Sequence, residues 1–115
     1  YLHVAMYHIG KILFYTPKDV DGFWINKKIA LLLDEKEYDD LRSGYCNEVY
    51  NSRGAHFVDE TGSEEKNLAE LWKTRSKELE NEGLTYFALS IKQLATGYEY
   101  EAKRINSQFI DLYNN

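Results

Sequence analysis

The last third of the chain carries one apolar repeat that restricts its fold more than any other feature. From residue 87 onward, apolar side chains recur at steps of three or four residues. They are Phe87, Ile91, Leu94, Tyr98, Ala102, Ile105, Phe109 and Leu112. This spacing places all of them on one face of an α-helix. The pattern predicts a helix over residues 85–112 that is about 40 Å long. A domain of this size needs no helix of that length for its own core, so we expect the end to project or to contact a partner.

A second helical stripe precedes this helix and is separated from it by a very short connection. Each of its members lies three or four residues from another, and they are Leu68, Leu71, Trp72, Arg75 and Leu79. Thr61 and Glu64 have the spacing of a capping box, so we expect this helix to begin at residues 62–63. It ends at Glu82 and Gly83, because glycine is suited to the left-handed position after a helix. Two helices joined by so few residues are antiparallel neighbours, so the sequence predicts an αα-hairpin.

The first residues also have a helical pattern. Residues 2–15 place four apolar side chains on one stripe, namely Leu2, Met6, Ile9 and Leu13. Because much of the remaining surface is apolar as well, we expect this helix to be buried on more than one side or to pack on another chain. A strand over residues 11–15 is the alternative, since Ile-Leu-Phe-Tyr is typical of a β-sheet.

Two further helices are predicted between this element and the hairpin. One covers residues 23–33. Asp34 then has the position of an N-cap, and Glu37 completes a capping box for the next helix. That helix continues to about residue 50, although Gly44 inside it lowers its helical propensity.

Taken together, these patterns predict an all-α fold, a four- or five-helix bundle that ends in a long αα-hairpin. A chain of 115 residues is the size of one domain, so residues 1–115 are expected to form a single helical domain with an irregular loop at 51–63. The sequence has one proline and seven glycines, which is little turn chemistry for a β-rich fold.

Charge and cysteine content exclude several classes of function. Lys and Arg number 14 against 19 Asp and Glu, for a net charge of −5, so general nucleic-acid binding is not expected. The longest apolar run, residues 29–33, is too short to cross a membrane. The single cysteine, Cys46, allows no disulfide within the chain and no cysteine-based zinc site. With no signal-peptide pattern and no cofactor motif, we expect a cytoplasmic protein without a cofactor.

The irregular loop carries the residue types that are best suited to chemistry. Arg53, His56 and Asp59 are candidates for catalysis in a small hydrolase or ribonuclease, with His56 as general acid or base and Arg53 holding a phosphate. The Arg53-Gly-Ala-His56 segment resembles the Arg-to-His motif of some helical ribonucleases, but has fewer residues between the two. His56, Asp59 and Glu60 are also candidate ligands for a divalent metal. The alternative is a turn-and-capping loop without a site.

Acidic residues are concentrated in the middle of the chain. Residues 34–65 contain ten acidic and three basic side chains, whereas residues 1–33 sum to +2. A solvated helix face accounts for such a pattern. An alternative is an acidic inhibitor that docks on a basic partner through residues 34–40, with Asp39 and Asp40 in contact with that partner.

Tyrosine is the most over-represented residue type, with ten in the chain. Tyr86, Tyr100 and Tyr113 fall off the main stripe of the last helix, and together with Phe109 they are candidate partner contacts. The alternative is that tyrosines fill the core with their hydroxyls at its rim.

The leading hypothesis is a protein-interaction or assembly module, in which strips on the first and last helices pack with a second copy or another protein. Small phage or mobile-element proteins have this profile.

Overall fold

The computed structural model describes residues 1–53 and 61–114, which form five α-helices and contain no strand. The helices are α1 (Leu2–Leu13), α2 (Lys27–Leu33), α3 (Asp39–Asn51), α4 (Ser63–Asn81) and α5 (Thr85–Asn114). α4 and α5 pack along each other as a long hairpin, and α1 packs on α3. α2 and α3 both contact α5, so they connect the two helix pairs. The all-α prediction and the predicted hairpin are therefore confirmed, and the alternative strand over residues 11–15 is wrong.

The turn between α4 and α5 has the hydrogen bonds of a Schellman motif. Gly83 has φ of 82° and its N–H donates to Glu80 O at 2.9 Å. Leu84 N–H donates to Leu79 O, also at 2.9 Å, and both leucine side chains are buried. A side chain with a Cβ disfavours this left-handed conformation, which explains the glycine at the predicted position.

The apolar stripe on α5 is buried for most of its length. Its first six members are at most 9% exposed, whereas Phe109 is half-buried and Leu112 is 71% exposed. At 1.5 Å per residue the 30-residue helix is about 45 Å long, close to the 51 Å longest dimension of the molecule. The last turns of α5 therefore extend beyond the buried core, as its predicted length implied.

The core is built largely from aromatic rings. The Trp24 ring lies 5.7 Å from Trp72 of α4 and 6.2 Å from Phe87 of α5, centroid to centroid. Tyr45 of α3 meets Phe87 edge-on at 5.5 Å. The Arg75 guanidinium lies 4.9 and 4.7 Å from the two indole centroids, within range of a cation–π contact. These rings join α3, α4, α5 and the segment before α2.

Two glycines allow α1 and α3 to cross with their backbones in contact. A Cβ at Gly10 would lie 2.0 Å from the carbonyl oxygen of Leu41, and a Cβ at Gly44 would lie 1.9 Å from that of Tyr7. No side chain fits at either position unless the helices separate. This close crossing explains why a residue of low helical propensity lies inside α3.

The predicted helix over residues 23–33 begins one turn later than expected. The Asn26 side chain accepts hydrogen bonds from the backbone N–H groups of Lys28, at 2.9 Å, and Ile29, at 3.2 Å. Asn26 is thus the N-cap of α2, because it satisfies donors that have no partner within the helix. Apolar spacing alone did not reveal this cap.

The predicted role of Asp34 as the N-cap of α3 is wrong. Asp34 is the C-cap of α2, and its carboxylate accepts a hydrogen bond from the backbone N–H of Phe87 at 3.0 Å. It therefore caps α5, which is distant in sequence. α3 begins only at Asp39, so Glu37 lies outside that helix and completes no capping box.

A buried arginine closes the connection between α2 and α3. Arg42 is 4% exposed, and its guanidinium donates to the carbonyl oxygens of Leu33 at 2.8 Å, Glu35 at 2.6 Å and Lys36 at 3.2 Å. It also pairs with the carboxylate of Asp39. Removal of this side chain would leave several carbonyls without partners, so its role is structural.

Candidate functional surfaces

Of the four candidate residues in the predicted catalytic loop, Arg53 is the one that the structure describes. Its guanidinium pairs with Glu64 at 3.1 Å and with Glu65 at 3.3 Å, at the start of α4. Burial lowers the pKa of Arg53, but hydrogen bonds and charge from the two glutamates outweigh burial and raise it. Both carboxylates therefore compete with any phosphate for this cation. The other candidate residues of the loop lie outside the described part of the chain: His56, Asp59 and Glu60.

α4 begins at Ser63, as predicted, but its N-cap differs from the prediction. Gly62, with φ of 74°, occupies the N-cap position, and a capping box formed by Thr61 and Glu64 is therefore wrong. A Cβ at Gly62 would lie 2.5 Å from the carbonyl oxygen of Ala102, so the first turn of α4 is held directly against the α5 backbone.

The two acidic residues predicted to dock on a basic partner already have side-chain partners within the chain. Asp39 pairs with Arg42, and Asp40 accepts a hydrogen bond from His3 Nδ1 at 2.5 Å. Both lie in the first turn of α3, where negative charge is favoured by the helix dipole. These contacts give the acidic residues a role in positioning α3, and docking through residues 34–40 stays a prediction.

The candidate contact residues of α5 do not form one surface. Tyr86 and Tyr100 are 44% and 71% exposed and lie about four turns apart on the same side of the helix. Tyr113 lies about 140° further round the helix from Tyr100. Its ring contacts Phe109 at 4.7 Å, beyond the end of the core. Tyr45 and Tyr98, in contrast, are buried, as expected for tyrosines that fill a helical core.

The largest departure from the sequence analysis is the orientation of α1. Met6 and Leu13 pack against the core, and Gly10 is buried at the crossing with α3. Leu2 and Ile9, which belong to the same predicted stripe, are 73% and 44% exposed. The predicted stripe is thus only partly buried, and packing of this helix on another chain stays a prediction. The helix is apolar on most sides, so its apolar spacing did not determine which side is buried.

The outward side of α1 carries an apolar seam of its own, which sequence reasoning missed. Leu2, Ala5, Ile9 and Ile12 follow steps of three, four and three residues, and all are exposed. Ile12, at one end of the seam, is 67% exposed. α1 contains no acidic residue, and its one lysine, Lys11, is half-buried. An uncharged helix face of this kind is typical of a contact surface.

Two further properties of the described residues bear on function. No helix within residues 1–53 and 61–114 has the length and apolar character needed to cross a bilayer. In the same ranges, no three His, Cys, Asp or Glu side chains lie close enough together to hold a metal ion.

Comparisons of the chain with protein-family models, with curated proteins and with solved structures found no match.

Proposed function

We propose that the chain is an assembly module in which α1 pairs with α1 of a second copy. The observation that carries this proposal is the exposed seam formed by Leu2, Ala5, Ile9 and Ile12. These side chains have the a/d spacing of a coiled-coil contact. They lie on the side of α1 that is turned away from its main intramolecular partner, α3.

The spacing of the seam favours a second copy over an unrelated helix. Steps of three, four and three residues read the same in both directions, with their centre at residue 7. In an antiparallel pair, Leu2 therefore faces Ile12 of the second copy, and Ala5 faces Ile9. The small alanines at the centre allow the helices to approach closely. Such a contact is isologous, which is the arrangement of most homodimers.

The distribution of charge is compatible with this pairing. The net charge of −5 opposes the association of two copies, but residues 34–65 carry −7 and residues 1–33 carry +2. The contact between the two α1 helices therefore does not include the acidic residues 34–65 of either copy. Because salt screens the remaining repulsion between copies, we expect the dimer to become more stable as ionic strength rises. An interaction driven by opposite charges would have the reverse dependence.

The experiment is a measurement of solution mass by sedimentation equilibrium. Full burial of an isoleucine side chain contributes about 1.5–3 kcal/mol, and Ile12→Glu removes two such side chains from one dimer. We expect this variant to weaken dimerisation by about 100-fold or more. Circular dichroism should show unchanged helix content, because Ile12 is largely exposed in the single chain.

Leu89→Glu is the matched control, since Leu89 is 55% exposed but lies on α5. It should leave the dimer intact. A wild-type chain that is monomeric at all concentrations, or a dimer that survives Ile12→Glu, would contradict the proposal. A dimer that Leu89→Glu breaks and Ile12→Glu does not would place the contact on α5 instead.

A further inference from the structure

A cleft lies between the end of α3, the first turn of α4 and the second half of α5. Its volume is about 550 Å³, which is within the range of small-molecule sites in proteins. The apolar part of its wall is formed by Tyr50, Tyr98, Ile105, Phe109 and Leu112. No part of this cleft belongs to the α1 surface on which assembly was proposed.

The wall contains a buried hydroxyl that has no hydrogen-bond partner. Tyr98 is 1% exposed, and its hydroxyl oxygen is bonded to no other group among the described residues. Buried polar atoms in folded proteins are nearly always hydrogen-bonded, so an unbonded one indicates a missing partner. Burial also raises the pKa of Tyr98 to about 12, so this hydroxyl keeps its proton and is able to donate it.

The neighbouring Tyr50 differs from Tyr98 because its hydroxyl has a hydrogen-bond partner. The Tyr50 ring lies 4.7 Å from the Tyr98 ring, centroid to centroid, but its hydroxyl donates to the carbonyl oxygen of Leu94 at 3.3 Å. Of these two stacked phenols, only that of Tyr98 has no hydrogen-bond partner among the described residues. Tyr50, which is 37% exposed, offers an aromatic surface to a flat ligand.

The charges in the wall are balanced. Arg53 pairs with Glu64 and Glu65, and Arg104 pairs with Glu101 at 3.2 Å. Each arginine that lines the cleft already has a carboxylate partner. Neither Arg53 nor Arg104 is therefore an unpaired cation that would favour an anionic ligand. A neutral ligand does not have to displace either ion pair.

We propose that this cleft binds a neutral aromatic molecule whose carbonyl-type oxygen accepts a hydrogen bond from the Tyr98 hydroxyl. The aromatic part lies against the tyrosine pair and Phe109. The oxygen atom supplies an acceptor for the Tyr98 hydroxyl, which has none among the described residues. Such sites combine an apolar wall with a small number of placed polar groups.

Two probes of nearly the same shape test the hydrogen bond directly. 2-Acetylnaphthalene has a carbonyl acceptor, whereas 2-ethylnaphthalene has the same ring and no acceptor. Titration calorimetry on the full chain should give an affinity about tenfold higher for the ketone. In Tyr98→Phe the two probes should bind equally, because the affinity of the ketone alone falls. Tyr98→Phe is expected to fold, since it removes only an unbonded hydroxyl.

Tyr50→Phe is the matched control in the same wall. It removes a hydroxyl that is already bonded to the backbone, so the preference for the ketone should remain. Equal binding of the two probes by the wild-type chain, or binding of neither, would overturn the proposal. A preference that persists in Tyr98→Phe would also overturn it, because the acceptor would then bind another group.

Discussion

Gly44→Ala tests the packing of α1 on α3, the contact that leaves the outward seam exposed. The new Cβ would lie 1.9 Å from Tyr7 O and 2.8 Å from Tyr7 C, both of which are backbone atoms of α1. Since carbon atoms pack at about 3.5–4.0 Å, the helices must separate by about 1.5 Å. Overpacking of this kind costs about 1–3 kcal/mol, and higher helical propensity returns up to about 1 kcal/mol. We expect the free energy of unfolding to fall by about 1–2 kcal/mol.

Urea unfolding and thermal melts measure this effect. At about 4 °C per kcal/mol, Tm should fall by about 4–8 °C. Ser43→Ala is the control, because Ser43 is an exposed neighbour in the same helix and should change stability by less than about 0.5 kcal/mol. Gly10→Ala combined with Gly44→Ala should cost less than the sum of the two, since one separation of the helices relieves both contacts. A Gly44→Ala variant as stable as the wild type would refute this reasoning.

Other predictions concern a helix cap, a turn glycine, and the pKa values of a cysteine thiol and a tyrosine hydroxyl. Asp34→Ala should lower the free energy of unfolding by about 1 kcal/mol in urea, whereas Asp34→Asn should retain the cap on α5 and remain near wild type. Gly83→Ala should cost about 1–2 kcal/mol in the same assay, because its φ of 82° disfavours a Cβ although space is available; an unchanged midpoint would rule out strain at this turn. Burial raises the pKa of Cys46 from 9.0 to about 12 and that of Tyr98 from 10.0 to about 12. The unfolded chain therefore releases these protons first, and urea midpoints should fall as pH rises above about 9; constant midpoints between pH 8 and 11 would contradict this.

The long hairpin was predictable because its signals are local and mutually consistent. The stripe on α5 continues over many turns, and a single glycine, Gly83, ends the helix before it. Tertiary packing has little scope to reverse such a pattern. The buried positions of Phe87, Ile91 and Leu94 follow directly from their spacing.

The orientation of α1 was not predictable from the sequence in the same way. A short helix with apolar residues on most sides offers more than one stripe, and the choice depends on contacts distant in sequence. Gly10 determines which side of α1 is buried. Because glycine has no side chain, the Gly10 side of α1 is the one that can approach Leu41 and Gly44 of α3 closely. A glycine flanked by apolar residues at helical spacing is the signal that could have identified the buried side.

The misassigned cap has a related cause. Asp34 and Glu37 have the spacing of a local capping box, but the carboxylate of Asp34 bonds to Phe87. Sequence spacing specifies which donors are near in the chain and does not specify donors brought near by folding. For the same reason Tyr98 was assigned to the core stripe, while the lack of a partner for its hydroxyl became evident only from the structure.

The most direct test of the proposed assembly is a mixing experiment that reports on the register of the α1 pair. Leu2→Lys and Ile12→Glu are prepared as separate proteins, and the mass of each is measured alone and after mixing in equal amounts. In the antiparallel pair the new lysine faces the new glutamate at one end, and the unchanged Ile12 faces the unchanged Leu2 at the other. With antiparallel pairing of α1, each variant alone is expected to be mainly monomeric, and the mixture is expected to form a heterodimer. A mixture that remains as monomeric as its components would contradict antiparallel pairing of α1 and, with it, the central claim.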